Sequence, residues 1–397
     1  MRWRPVAYTA LGLVSALALG ASGYGWTQLN RLTSGIASAD VIEPGARLPA
    51  TTDPSGPVAE QNILLAGIDS RTDAQGNQLP QNLLDQLHAG ESGDGGDVTD
   101  TMIVVHIPAG GGSATTISIP RDSYVQIAGG YGKHKINSAY SYGRGAALNE
   151  LAGRGVAGSE LERQADAAGA RSAIQTVEQF TGLPINHYAA VNLVGFYSLS
   201  LAVGGVPVCL KAGVHDSYSG ASFPAGEQTI SGAQALAFVR QRHGLPNGDL
   251  DRIARQQAFL SSMAKAVLDT GTLASPAKLT ALIDAIRKSV IIDKDWDVLS
   301  FAEQMRGLST GGLTFATIPV QSLSLQTPSD GDAVKVDPAQ VRGFIHTLLG
   351  DDAGLTSPAT TTAPSKAAHP VGQTGTAPST QSSAPTATNR DLSGCVD

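Results

Sequence analysis

Three short apolar runs, each bordered by a charged residue, constrain this 397-residue chain more than any other feature. The run NILLAGI (62–68) leads directly into Asp69, TMIVVHI (101–107) follows Asp100, and ATTISIP (114–120) leads into Arg121. Runs of Ile, Val, Leu and Thr bounded by turn residues read as strands. The link PAGGGSA (108–114) suits a hairpin turn, so the second and third runs should be antiparallel neighbours. If all three alternate in direction, the exit of the first, the start of the second and the exit of the third meet at one edge of a sheet. Asp69, Asp100 and Arg121 would then converge. The longer link 70–99, rich in Gly and Asp, leaves the first pairing less constrained. HYAAVNL (187–193) and GVPVCL (205–210) read as two more strands. Helical periodicity follows in 171–180, which stops at Thr181-Gly182, and in 193–205, 231–242, 251–268 and 275–290. Strands interspersed with helices predict an α/β fold, a mixed central β-sheet flanked by helices.

A second feature is the segment RQRHGLPNGDLDRIARQQ (240–257), which gathers Arg240, Arg242, Arg252 and Arg255 in a chain of formal net charge −7. Ser231 and Gln234 have capping-box spacing, so a helix should begin near Gly232 and carry Arg240 and Arg242 in its last turn. Gly244, Pro246 and Gly248 break it. The next helix should start at Asp249 or Asp251, bury Ile253, Leu260, Ala264 and Val267, and place Arg252, Arg255 and Gln256 at its first turn. A cation there opposes the helix dipole at a cost of about 0.3–1 kcal/mol, and a bound anion reverses the sign. Free N–H groups, the dipole and forked guanidinium donors suit a phosphate or pyrophosphate. A solvated surface on which Asp249 and Asp251 pair with the arginines is the equally weighted alternative from the bend alone.

The acidic balance argues against a nucleic-acid partner, whose backbone requires a broad basic surface. Arg2 and Arg4 precede about twenty mostly apolar residues, enough to span a bilayer, and no basic cluster follows them. The chain therefore divides into a cytoplasmic N-terminus (1–5), a transmembrane anchor (6–28), an extracytoplasmic linker (29–59), a folded domain (60–351) and a disordered Pro/Ser/Thr-rich tail (352–397). A cleaved secretory signal is the rival reading of the apolar segment. Cys209 and Cys395, the two cysteines, exclude a four-cysteine zinc site and leave either one disulfide or two thiols.

Two carboxylates beside an arginine at a sheet edge suggest a hard divalent cation, since Mg²⁺ is held by one or two carboxylates plus substrate phosphate oxygens. Either aspartate alone reads as a turn cap. GGYGKHK is not a phosphate loop, because Ile127 occupies the first glycine position and no Ser or Thr follows Lys133. GESGD is not a nucleophile elbow, and His134, His187 and His243 lack metal-ligand spacing. The stretch GKHKINSAYSYG (132–143), with Lys135 and Asn137, is assigned to a cleft because it follows the Arg121 edge.

Taken in order, NILLAGIDSR, DTMIVVHIP, ISIPRDSYV, KINSAYSYG, GLPINHYAAVNLVGF, AVGGVPV and ISGAQALAFVRQRH with GDLDRIARQQ resemble the LytR-CpsA-Psr proteins of Gram-positive cell envelopes, over residues 60–350. The resemblance implies a membrane-anchored phosphotransferase with an extracytoplasmic catalytic domain. It would move a phosphate-linked glycopolymer from a polyprenyl-pyrophosphate carrier to peptidoglycan, with Mg²⁺ or Mn²⁺ as cofactor and with possible pyrophosphatase activity. It assigns Asp69 and Asp100 to the metal, Arg121, Arg240, Arg242 and Arg252 to phosphate, and Gln256 to a polar position beside them. Arg255 receives no role, and the insertions at 70–99 and 144–170 depart from many relatives. Apolar segments 188–203 and 258–268 are candidates to wall a lipid channel. Asp100 and Asp249 are the candidates for general base. Two other functions fit the same residues: a polyprenyl-pyrophosphate hydrolase and a non-enzymatic cell-wall binding or regulatory protein.

Overall fold

A computed structural model of the chain describes residues 35–48, 59–87, 89, 97–268, 275–294, 296–297, 301, 313–350 and 395–397. The expected cytoplasmic segment, membrane anchor and most of the tail lie outside them. Among the described residues no helix is long and apolar enough to cross a membrane.

Seven strands form the central sheet: β1 (Ala37–Ala39), β2 (Gln61–Ile68), β3 (Thr99–Ile107), β4 (Ala114–Ser118), β7 (His187–Asn192), β12 (Val290–Asp293) and β13 (Leu313–Thr317), in the order β1-β12-β7-β2-β3-β4-β13. The β2–β3–β4 meander is antiparallel throughout, whereas β2–β7, β4–β13 and β1–β12 are parallel. The sheet is therefore mixed. The expected alternation of the first three strands is the observed one.

Side chains along β2 alternate between two layers, as the period of two requires. Leu64, Ala66 and Ile68 enter the larger core with Val104 and Ile117. That core is closed by α2 (Ser138–Gly153), α3 (Gly158–Thr181) and α8 (Pro338–Leu349). Ile63 and Leu65 belong to a smaller cluster with Ile107 and Ala114. A separate core gathers α4 (Leu193–Ala202), α5 (Gly232–Arg240), α6 (Asp249–Leu268) and α7 (Pro276–Ser289) with the hairpin of β8 (Val206–Leu210) and β11 (Gly226–Ile230). Between β8 and β11, β9 (Val214–Asp216) and β10 (Ala221–Phe223) form a second small hairpin. On the far side, β5 (Tyr124–Ile127) pairs with β6 (Gly132–Lys135), and β14 (Ser322–Gln326) pairs with β15 (Asp332–Lys335).

Several expectations are corrected. Residues 37–39, assigned to the linker, are an edge strand, and Val41 and Ile42 are buried in the main core. The strand at 206–210 joins its own hairpin and not the central sheet. The insertion 144–170 is helical: α2 and α3 pack so closely that a Cβ on Gly169 would lie 2.9 Å from the Tyr140 carbonyl oxygen. Helix α3 ends where expected, with Gly182 at φ +81°. The insertion 70–99 holds a short helix, α1 (Gln81–Gln86), whose Leu84 is fully buried against the α4–α7 core. Ser231 makes no capping-box bond; the Gly232 N–H donates instead to Ser200 Oγ at 2.8 Å. In α6 the buried anchor is Phe259, while Leu260, Ala264 and Val267 are only partly covered.

The last residues return to the fold. Cys209 and Cys395 are joined by a disulfide, 186 positions apart in sequence. Val396 bridges Leu210 in parallel register, and Lys211 and Cys209 complete the backbone bonds at 2.8 and 3.0 Å.

Two stability tests follow. Leu64→Ala removes a fully buried side chain from the centre of the sheet and should cost roughly 2–5 kcal/mol by denaturant unfolding. Replacing Cys209 and Cys395 together by Ser releases a long loop closure and should cost about 2–4 kcal/mol by the same measurement under oxidising conditions.

Candidate functional site

The site begins with a register defect. Gly67 pairs with Thr101 and Ile68 pairs with Thr99, so Asp100 is the extra residue of a bulge on β3. Bulges re-aim side chains, and this one sets Asp100 beside Asp69, whose N–H donates to Val98 O at 3.0 Å. Asp69 continues the Ile63–Leu65–Gly67 series of β2. Arg121 lies three residues past β4 and is tied in by backbone bonds: Asn137 N–H donates to Arg121 O at 3.1 Å, and Thr99 N–H donates to Asn137 O at 3.3 Å. The Arg121 guanidinium then donates to Asp100 Oδ1. Burial opposes the charge of Arg121, but Asp100, Asp122 and Asp249 outweigh it and raise its pKa.

A pocket of about 600 Å³, partly open to solvent, lies over this edge. Its lining includes the polar side chains of Asp69, Asp100, Arg240, Arg252 and Gln256 and the apolar ones of Ile68, Val191, Leu193, Phe196, Leu236, Val239 and Leu260. Helix α5 ends at Arg240, which donates to Leu87 O at 3.2 Å, and Gln256 donates to Val239 O at 3.3 Å. Arg252 and Gln256 share a face of α6 through their i,i+4 spacing. Arg252 is 3% exposed and paired with Asp249. Burial lowers the Arg252 pKa despite Asp249, and burial raises that of Asp249 despite Arg252 and Arg121. Both Asp249 carboxylate oxygens are buried without a hydrogen-bond donor.

Thus the pocket brings together Asp69, Asp100, Arg240, Arg252 and Gln256, with Arg121 behind Asp100. Other sequence-selected residues lie elsewhere. Arg242 falls beyond the end of α5 and is exposed, because the helix stops two residues earlier than its pattern suggested. Lys135 does not line the pocket; it lies 3.5 Å from Asp122. Asn137 contributes backbone bonds and not a pocket side chain. Arg255 does not line the pocket; it is fully buried between Gln241 and the Asp397 carbonyl oxygen and 5.1 Å from the centre of the Phe238 ring.

Two contributors were missed. Arg71 lies 2.8 Å from Asp69 Oδ1, donates to Asp69 O at 2.9 Å and to Ala89 O at 2.6 Å, so it fixes Asp69 against the 70–99 segment. Its position two residues after Asp69, in IDSR, was the available signal. Arg144 is buried among Asp97, Glu162 and Asp166. It pins the chain just ahead of β3, where Ser141 also donates to Asp97 O at 2.9 Å.

The donor set fits a divalent cation. Asp69 and Asp100 line one pocket, and Asp69 Oδ1 is buried with no aligned hydrogen bond despite its ionic contact with Arg71. Among the described residues no group of three or more His, Cys, Asp or Glu could hold a metal. A cation here would take two carboxylates and fill its shell with phosphate oxygens and water.

The LytR_cpsA_psr family model matches residues 34–340. The chain belongs to the LytR-CpsA-Psr family. It is 44% identical over 348 residues to the cell wall biosynthesis protein LcpA of Corynebacterium glutamicum, covering 87% of this chain and 66% of that protein. It is 31% identical over 208 residues to the polyisoprenyl-teichoic acid--peptidoglycan teichoic acid transferase TagU of Enterococcus faecalis, covering 51% and 60%. The chain thus spans about two thirds or less of these relatives. In fold it is similar to a structure of TagT bound to LI-WTA, with a TM-score of 0.52 and 18% identity, covering 80% of this chain and 99% of that one. LytR-CpsA-Psr membership and the mixed sheet flanked by helices both agree with the sequence reading.

Crowding of three carboxylates around Arg144 generates a pH prediction. Burial, with Asp166 and Glu162 adding to it, raises Asp97 from 3.8 to about 6 against the pull of Arg144. Its protonation therefore favours the folded state: the contribution is full below pH 3.8 and is lost as pH rises through about 6. Asp97→Asn should remove this slope, a difference on the order of 1–3 kcal/mol between pH 4 and 7 in unfolding free energy.

Proposed function

We propose that this protein transfers a phosphate-linked glycopolymer from a polyprenyl-pyrophosphate carrier to peptidoglycan, as a membrane-anchored, extracytoplasmic enzyme of cell-wall assembly. The observation that carries the reading is the two-part character of the pocket. Arginines and carboxylates line it together with seven apolar side chains, Ile68 from β2, Val191 from β7 and five from α4, α5 and α6. That composition suits a ligand with a diphosphate head and a hydrocarbon tail. The names of the relatives point the same way.

In this reading Arg240 and Arg252 bind the diphosphate, and Gln256 donates to it. Arg121 holds Asp100 in place, and Arg71 does the same for Asp69. Arg242, exposed and outside the pocket lining but close enough for its charge to act on Asp249 and Arg252, is assigned to the more distant phosphate. A divalent cation, Mg²⁺ or Mn²⁺, when held by Asp69 and Asp100, would neutralise charge on the phosphate oxygens. An acceptor hydroxyl attacks the sugar-linked phosphorus, the bond to the bridging oxygen breaks, and polyprenyl phosphate leaves. Asp100, which lines the pocket, and Asp249, paired with Arg252 beside it, are the two carboxylates placed to accept the acceptor's proton.

The test is transfer from a synthetic polyprenyl-pyrophosphate glycan to peptidoglycan by the purified full chain. Arg240→Ala should lower kcat/KM by about 100-fold or more, equivalent to roughly 2.7 kcal/mol of transition-state stabilisation, with an unchanged melting temperature. Release of lipid phosphate without an acceptor product would replace the transferase with a hydrolase. Transfer unaffected by Arg240→Ala and by the Asp69→Ala/Asp100→Ala pair would leave a binding protein.

A further inference from the structure

Among the described residues, the most exposed large apolar side chain is Tyr218, at 77%. It sits in the turn between β9 and β10, and its ring stacks on His243 with centroids 4.3 Å apart and planes 30° apart. Both residues are open to solvent: the His243 side chain is 60% exposed. Neither packs into a core cluster.

The turn is built to hold Tyr218 outward. Asp216, 4% exposed, accepts from the Tyr218 N–H at 3.0 Å and from Ser219 Oγ at 2.7 Å, while Gly220 supplies φ +74°. This Asx-type turn orders the loop before any ligand arrives. His243 is fixed from its own side. Gln241, 1% exposed, donates to His243 O at 3.1 Å and accepts from Arg255. Asp216 Oδ1 also lies 3.8 Å from His243 Nδ1, so one buried carboxylate serves both halves of the stack.

The location is informative. His243 is three residues past Arg240, which lines the pocket, and one past exposed Arg242. With a diphosphate bound at Arg240, a sugar attached to it would lie near the bend that runs on from Arg240 through Arg242 to His243. A flat, rigid aromatic surface with little conformational entropy to lose is suited to the apolar face of a pyranose ring. We propose that Tyr218 and His243 form a stacking platform for the first sugars of the donor glycan, just outside the diphosphate site. This inference rests on the transferase reading of the pocket. It makes Tyr218 a specificity residue, one that distinguishes a glycan-bearing carrier from a bare one.

The experiment titrates the detergent-solubilised full chain with three probes by native mass spectrometry: polyprenyl pyrophosphate, the same carrier bearing a disaccharide, and a soluble peptidoglycan fragment. Tyr218→Ala should weaken the disaccharide-bearing carrier about tenfold and leave the bare carrier within about twofold. Tyr218→Phe, which keeps the ring, should restore binding. A merely structural role for Tyr218 would lower the melting temperature and weaken both carriers together, and that outcome overturns the platform. So does weakening confined to the peptidoglycan fragment, which would move the platform to the acceptor. If the bare carrier fails to bind wild type while the disaccharide carrier binds through Tyr218, the platform stands and the diphosphate reading falls. If neither carrier binds wild type, both fall.

Discussion

The antiparallel pairing of β2 with β3, interrupted once at Asp100, is the constraint on which the rest of the structure depends. Leu64, Ala66 and Ile68 must face the α2–α3–α8 core, because a one-residue slip would turn every one of them toward the other layer. That requirement fixes where β2 ends and β3 begins. The bulge then admits one unpaired residue at the only end of the pairing where two carboxylates meet. Asp69 and Asp100 therefore owe their proximity to hydrophobic burial elsewhere in the sheet, and no attraction between them is needed.

What holds such a charge-dense edge together is a set of paired opposites. Arg71 lies against Asp69, Arg121 against Asp100 and Arg252 against Asp249. Two of the arginines, Arg121 and Arg252, are titrated by more than one acid, and Asp249 feels Arg121, Arg242 and Arg252 at once. Buried pairs of this kind add little net stability, yet losing one partner leaves an uncompensated charge that costs several kcal/mol. The pairing keeps each group oriented. Arg240, at the end of α5, and Arg252 both line the pocket. An anionic ligand entering there meets donors whose positions are already set by the protein's own acids.

Much of this was legible in the sequence because it depends on local patterns. Three bordered apolar runs located the sheet edge, and a glycine-proline bend between two helical periodicities located the arginines. What escaped depends on tertiary context. The capping-box spacing at Ser231 was real, but Ser200 from a neighbouring helix supplies the bond instead. Arg255 lies only three residues from Arg252 and about 60° from it around the helix, yet tertiary partners, Gln241, the Asp397 carbonyl and the Phe238 ring, draw it into a different core. Arg242 was placed on a helix whose last turn is not formed. Lys135 and Asn137 border the right edge but serve it through an ion pair and the backbone. Arg71 carried a signal in IDSR that only its contact with Ala89 makes meaningful.

The disulfide gives the C-terminal region a topology that its sequence does not announce. Helix α8, packed on the α2–α3 core, ends at Leu349, and Cys395 is bonded to Cys209 of β8, in the other core. The chain between them is consequently part of a closed covalent circuit. A single proteolytic cut within it would open the circuit without releasing Val396 or Asp397, which stay attached through sulfur. The bond therefore holds the last residues of the chain to β8 by a second covalent route, one that survives a nick.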